Sequence, residues 1–261
     1  MFLRVAVKIV LYVKQKDMKR IFLPTLMCFL LFTGCKPKSK NTDDKTPGSE
    51  LTTAATDLAK LIGSYVGDFG TNKITLLITK AVNDTIEGRS VVGGNDRPFA
   101  GIAKFTDGKY TIDAKEPGDD KYDGVFNITV DTKQPDVVTG NWKPNVPDAH
   151  LGPKDFSLTR RAFRYLVDVG QYPDASKREL TEDDVSNLSK EALQTMRNEI
   201  FARHGYCFKR KNLREMFEDK DWYIPNTVDI KKDLTETEKK NITLIKRYEK
   251  YAEDYGDDYG R

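Results

Sequence analysis

The stretch Phe99-Ala100-Gly101-Ile102-Ala103-Lys104-Phe105-Thr106-Asp107-Gly108-Lys109-Tyr110-Thr111-Ile112-Asp113-Ala114-Lys115 decides the fold of the first half of this chain. Phe99, Gly101 and Ala103 fall on one side of a period of two, and Tyr110, Ile112 and Ala114 do so again. Side chains alternate between the two faces of a strand, so this period marks strands with one buried face. Between the runs stands Asp107-Gly108. A two-residue hairpin turn needs positive φ at both central positions, and Asp-Gly is a pair that tolerates it. The stretch therefore predicts an antiparallel hairpin.

The same pattern extends outward on both sides. Upstream, Ile74, Leu76 and Ile78 share a face, and Ile86, Gly88, Ser90 and Val92 follow. Downstream come Phe126, Ile128 and Val130, then Val138, Gly140 and Trp142, then Phe156 and Leu158. Turn residues separate them: Asn83-Asp84, Gly93-Gly94-Asn95, Gly118-Asp119-Asp120 and Gln134-Pro135-Asp136. About eight short strands with short connections predict an antiparallel β meander over residues 59–163, closed as a small barrel or folded as a sandwich. The opening Gly63-Ser64-Tyr65-Val66-Gly67 and the closing Phe156-Ser157-Leu158-Thr159-Arg160 are similar to lipocalin-like barrels. A barrel of this size either fills its interior with its own side chains or holds one small apolar ligand.

Near residue 165 the period changes from two to that of a helix. Residues 164–178, with Gly170, Pro173, Asp174 and Ser176, read as a linker, residues 179–251 as a small helical domain, and residues 252–261 as a disordered acidic tail. Thr181-x-x-Asp184 predicts the cap of a short helix. Ser189 is a candidate N-cap for a longer helix with Leu193, Met196, Ile200 and Phe201 on one face, and Gly205 is its stop. Lys209 to Glu218 reads as a turn and short helix carrying Leu213, Met216 and Phe217. Thr235-x-x-Glu238 is a capping box that opens a last helix through Ile242, Ile245 and Tyr248. The fold class is thus α+β in two domains, a β meander followed by a mainly helical unit.

Within the second domain, Arg197-Asn198-Glu199-Ile200-Phe201-Ala202-Arg203-His204-Gly205-Tyr206 resembles the signature of the YARHG domain, with Phe201 in place of its Tyr. The similarity continues through Tyr172, Leu180-Thr181-Glu182-Asp183, Trp222-Tyr223, Pro225, Glu238 and Asn241. That family occurs in extracytoplasmic bacterial proteins, so the resemblance implies a fold unit and a compartment. Arg203, His204, Trp222 and Tyr223 are the candidate recognition residues. The alternative for Arg203 and His204 is to cap helix carbonyls or pair with Glu199, and for Trp222 and Tyr223 to belong to the core.

The remaining chemistry is sparse. His204 and Cys207 lie close enough in sequence to suggest a nucleophile pair, but a cysteine between Tyr206 and Phe208 reads as a small buried hydrophobe. Only His150, His204 and Cys207 are on hand for zinc besides carboxylates, so no metal site is expected. In the acidic stretch around Asp119, an EF-hand loop would need oxygen ligands where Lys121 and Val130 stand. No catalytic residues and no cofactor are expected.

Ahead of both domains, Lys19-Arg20 is followed by fourteen uncharged residues up to Gly34. Fourteen is too few to span a bilayer core, which takes about 20 helical residues, and the run suits a signal peptide. Leu31-Phe32-Thr33-Gly34-Cys35 resembles the lipobox of bacterial lipoproteins, with Phe32 where Leu is usual. Residues 1–34 are expected to be absent from the mature chain, with 1–17 either an extension ahead of a true start at Met18 or part of a longer basic signal region, and Cys35 is expected to carry the lipid. Residues 35–58 read as a flexible tether. Lys36, rather than Asp, after the cysteine implies an outer-membrane destination by resemblance to the enterobacterial sorting rule.

The whole chain holds 43 basic and 40 acidic residues. Its first 34 residues hold six bases and one acid, which leaves 37 against 39 and a net charge of −2. That balance argues against nucleic-acid binding, which needs a surviving basic face. The expected function is a membrane-anchored binding or scaffolding module for an envelope protein or glycan. Carriage of a small apolar ligand in the β domain is the second reading, and an envelope hydrolase the third.

Overall fold

The computed structural model describes residues 58–147 and 151–254. Cys35, the leader, most of the tether, His150 and the last seven residues lie outside the described residues.

Eight strands close into one barrel in chain order. They are β1 (Gly63–Phe69), β2 (Asn72–Val82), β3 (Thr85–Val92), β4 (Asn95–Thr106), β5 (Lys109–Lys115), β6 (Gly124–Asp131), β7 (Val137–Pro144) and β8 (Lys154–Arg160). All neighbours are antiparallel, including the closing pair of β1 and β8, with Tyr65 opposite Arg160. The quoted stretch is the β4–β5 hairpin, Phe105 opposite Tyr110, turning on Asp107 (φ 52°) and Gly108 (φ 76°). The sheet closes on itself rather than folding as a sandwich, with Tyr65–Arg160 and Val66–Thr159 as the registered pairs of the seam.

The period of two is read out directly. Ile74, Leu76 and Ile78 point inward from β2, Tyr110, Ile112 and Ala114 from β5, and Phe126, Ile128 and Val130 from β6, all buried in a single cluster. Leu58 and Leu61 join that cluster from a 3-10 turn ahead of β1, at the end of the barrel where the chain enters. The interior between the two ends is thus lined by one continuous cluster of the protein's own apolar side chains.

Outward-pointing residues should be wet, yet Val66, Thr75 and Val91 are buried. They lie side by side across β1, β2 and β3. Links to the helical half surround this stripe. Lys73 Nζ donates to Lys220 O (3.1 Å), Arg214 Nε donates to Asn72 Oδ1 (2.8 Å), and the Gly94 N–H lies 3.1 Å from Cys207 Sγ.

The helical half contains α1 (Asp174–Lys177), α2 (Lys190–Arg203), α3 (Lys211–Phe217) and α4 (Glu236–Asp254). Ser189 caps α2 by accepting the Ala192 N–H, and Leu193, Met196 and Ile200 pack against Ile242, Ile245 and Tyr248 of α4. A second cluster, of Phe208, Phe217 and Tyr223 with Ala202, sits on the other side of α2.

Three segments differ from the sequence reading. Residues 164–178 contain α1, whose Ala175 and Ser176 are buried, so this segment packs rather than spaces. The Thr181–Asp184 box forms, but it closes turns instead of a helix, and Asp184 also takes both terminal guanidinium nitrogens of Arg178 (2.8 and 2.7 Å). And α4 runs on to Asp254 with Ala252 buried, three residues into the segment read as tail. No described helix is long and apolar enough to cross a membrane.

Candidate functional site

Positions four apart on a helix share a face, so α2 aims Glu199 and Arg203 at the segment before α1. The Glu199 carboxylate accepts the backbone N–H groups of Gln171 (2.7 Å) and Tyr172 (2.8 Å). Arg203, with its side chain fully buried, donates from Nη2 to Glu199 Oε2 (3.0 Å), from Nε to Val169 O (2.9 Å) and from Nη1 to Ser176 Oγ (3.1 Å). Burial pushes the Arg203 pKa down, and the Glu199 charge opposes that push. The pairing of Arg203 with Glu199 was legible from their spacing. The two other acceptors were not, since they lie 34 and 27 residues away.

His204 follows at the C-cap of α2 and meets a different acid. Its Nε2 lies 2.8 Å from Glu238 Oε2, and its ring stacks on Tyr165 at 4.5 Å. An ionised carboxylate only accepts, so Nε2 carries the proton.

Glu238 gathers the whole unit. Oε2 also accepts from Thr235 N (2.9 Å) and Thr235 Oγ1 (3.0 Å), while Oε1 accepts from Ser176 Oγ (2.7 Å) and Tyr165 OH (3.0 Å). The capping box read at Thr235–Glu238 is therefore present, with Thr235 Oγ1 accepting the Glu238 N–H in return (3.1 Å), and its carboxylate does further work in the interior. Burial acts to raise the Glu238 pKa, but the hydrogen bonds from His204, Thr235 and Ser176 outweigh it and hold the carboxyl down at about 2.

Tyr223 is buried and donates to Tyr206 O (2.8 Å). Trp222 is half-buried, edge-on to Phe217 and Tyr223. Cys207 does not pair with His204. Burial pushes its thiol up to about 11, which removes the thiolate a nucleophile needs. Among the described residues, no three His, Cys, Asp or Glu side chains come together as metal ligands. Arg203, His204 and Tyr223 thus face inward, where a partner cannot reach them.

The surface beside them is open. A groove of about 1130 Å³ runs between α2, the start of α3 and α4. Phe201, Tyr206 and Leu234 form part of its floor, and Lys209, Arg210, Lys231 and Lys246 stand around it, against the single acid Asp229. All four cations are exposed, and none forms an ion pair with a described residue. Arg197, also on the groove wall, is tied to Glu249 (2.7 Å) and lies over the Phe201 ring. The four cations come from the segment before α3, the segment before α4 and α4 itself, the last 37 positions beyond the first, and the fold brings them to one groove.

No curated protein and no solved structure matches the chain. Residues 170–250, which hold both the buried Arg203–Glu199 and His204–Glu238 pairs and the groove beside them, match the YARHG domain.

Proposed function

We propose that this chain is an extracytoplasmic binding module, held on the bacterial outer membrane by lipid on Cys35, and that its helical domain grips an acidic segment of another envelope protein. The observation that carries this reading is the groove, where four cations without an ion pair among the described residues surround a partly aromatic floor. Complementary charge steers an acidic partner to such a surface, and the aromatic floor supplies the contact area that gives affinity. The YARHG match supports the compartment, and the lipobox-like run before Cys35 supports the anchor. The buried pairs at Arg203 and His204 serve this function indirectly, by fixing α2 and α4 as the walls of the groove.

The test is cross-linking in the host cell with wild type and with the double variant Lys231→Glu/Lys246→Glu. Wild type is expected to recover a protein that the variant loses. A peptide copied from that protein's acidic segment should bind wild type more weakly as salt rises. Unchanged capture by the variant refutes the reading, and so does capture of an anionic glycan in place of a protein. For the anchor, wild type should take up labelled palmitate and Cys35→Ala should not. Equal labelling would refute lipidation at Cys35.

A further inference from the structure

At the end of the barrel away from the chain's entry, the alternation of β4, β5 and β8 carries on but changes chemistry. Arg97 lies two residues before the inward Phe99, Glu116 two after the inward Ala114, and Lys154 two before the inward Phe156. Each therefore points into the barrel mouth, where the pattern calls for apolar side chains. Departures from a strong local pattern without structural gain are where function is to be sought.

Two of the three are satisfied by the protein. Arg97 donates from Nε to Asp123 Oδ1 (2.7 Å). The Glu116 carboxylate accepts from Ser90 Oγ (2.5 Å), Trp142 Nε1 (3.0 Å) and Gly124 N (2.9 Å). Lys154 is different. Its Nζ lies 4.6 Å from the Phe69 ring centre and 5.4 Å from that of Trp142, and no described carboxylate pairs with it. Burial lowers its pKa. A half-buried ammonium held on aromatic faces, with no counter-ion among the described residues, is a ready partner for an anion.

The space around it has the size of a ligand site. A cavity of about 560 Å³ opens at this mouth, with Phe69, Phe126 and Trp142 beneath and Lys209 and Arg214 of the helical half at its rim. Small-molecule sites commonly span about 300–1,000 Å³, are largely apolar with a few placed polar groups, and favour barrel mouths. Arg214 is held in place by Asn72 and by the Lys209 carbonyl.

We infer that the barrel mouth binds a small organic carboxylate with an aromatic or apolar body, the carboxylate on Lys154 and the body against Phe69, Phe126 and Trp142. This site shares only Lys209 with the groove on the helical half, and its test turns on Lys154, so either can fail alone. The occupant is an anion at the rim, unlike the neutral apolar guest of a hollow barrel, because Lys154 stands at the mouth above the apolar cluster.

The experiment is a titration of the chain from residue 36 with naphthoate, followed by calorimetry and by the fluorescence of Trp142 in a Trp222→Phe background. Naphthoate is expected to bind and to change the Trp142 emission. The neutral isostere naphthamide should bind at least about tenfold more weakly, the factor that corresponds to about 1.4 kcal/mol. Lys154→Met keeps the apolar stem and should lose naphthoate by a similar factor, while Lys154→Arg should restore part of it. The naphthamide arm needs no variant, so a misfolded mutant cannot rescue the idea. Absence of naphthoate binding overturns the proposal, as does equal binding of naphthoate and naphthamide. Inorganic phosphate competing as well as naphthoate would overturn the requirement for an apolar body.

Discussion

Replacing Glu238 by Gln keeps shape and removes charge. In the folded protein this carboxyl sits at about 2, against an ordinary value of 4.5, and the difference corresponds to about 3 kcal/mol of stability at neutral pH. The sign follows from the direction of the shift. A depressed carboxylate stabilises the fold above pH 4.5, and the contribution is lost as pH falls through about 2. A carboxamide approximates the protonated acid, so Glu238→Gln should behave as wild type does after that loss. It also turns one acceptor oxygen into an NH₂ group, which faces donors on either side: Ser176 and Tyr165, or His204 and Thr235. Urea unfolding followed by helical circular dichroism, on the chain from residue 36, should show the variant about 3 kcal/mol less stable at pH 7. At pH 3 the gap should close to about half that value, because the carboxyl is then protonated in the unfolded chain but still largely ionised in the folded one. A gap below about 1 kcal/mol at neutral pH, or one of the same size at both pH values, would show that the carboxylate does not organise the domain.

Two other substitutions probe the same unit. Arg203→Ala leaves Glu199 buried without its cation and should cost about 3–5 kcal/mol in the same urea assay; Arg203→Lys should recover little of it, since one ammonium cannot serve Val169, Ser176 and Glu199 together. Gly205 has φ +69°, and a Cβ there would lie 2.7 Å from Phe163 Cε2 and 2.9 Å from Asn226 Cβ. Gly205→Ala is therefore expected to cost about 2 kcal/mol, or a fall in Tm of about 4–8 °C by calorimetry; an unchanged Tm would mean that the turn relaxes freely.

The barrel was legible because an antiparallel sheet around one core imposes a period of two, and its tight turns demand residues such as Asp107-Gly108. Closure was left open between barrel and sandwich, since pairing of β1 with β8 spans the whole domain and leaves no local mark. In the helical half, the caps at Ser189 and Thr235 could be read because their partners are three residues away. Glu238 as a hub could not, because Tyr165, Ser176 and His204 reach it from 73, 62 and 34 residues upstream. The short helix α1 was missed for the same reason: its burial comes from distant partners such as Asn241, which donates to Ala175 O (2.9 Å). Lys154 was visible in principle as a charge in phase with Phe156 and Leu158, yet at a strand's first residue such a charge usually means only the edge of the core.

The closing seam of the barrel has a mechanical consequence. Since β1 and β8 are antiparallel neighbours, the chain enters at Gly63 and leaves after Arg160 at the same end. With the proposed anchor at Cys35 and the proposed partner on the helical half, a pull between them would load this seam from that end, peeling its bonds one at a time instead of shearing them together. Arg160 stands at the first point of such a tear. It donates to Ile62 O (2.8 Å) and Lys60 O (2.7 Å), pairs with Asp136 (2.6 Å), and its guanidinium lies over the Tyr65 ring. One side chain thus rivets the incoming strand to the outgoing one where tension would first separate them.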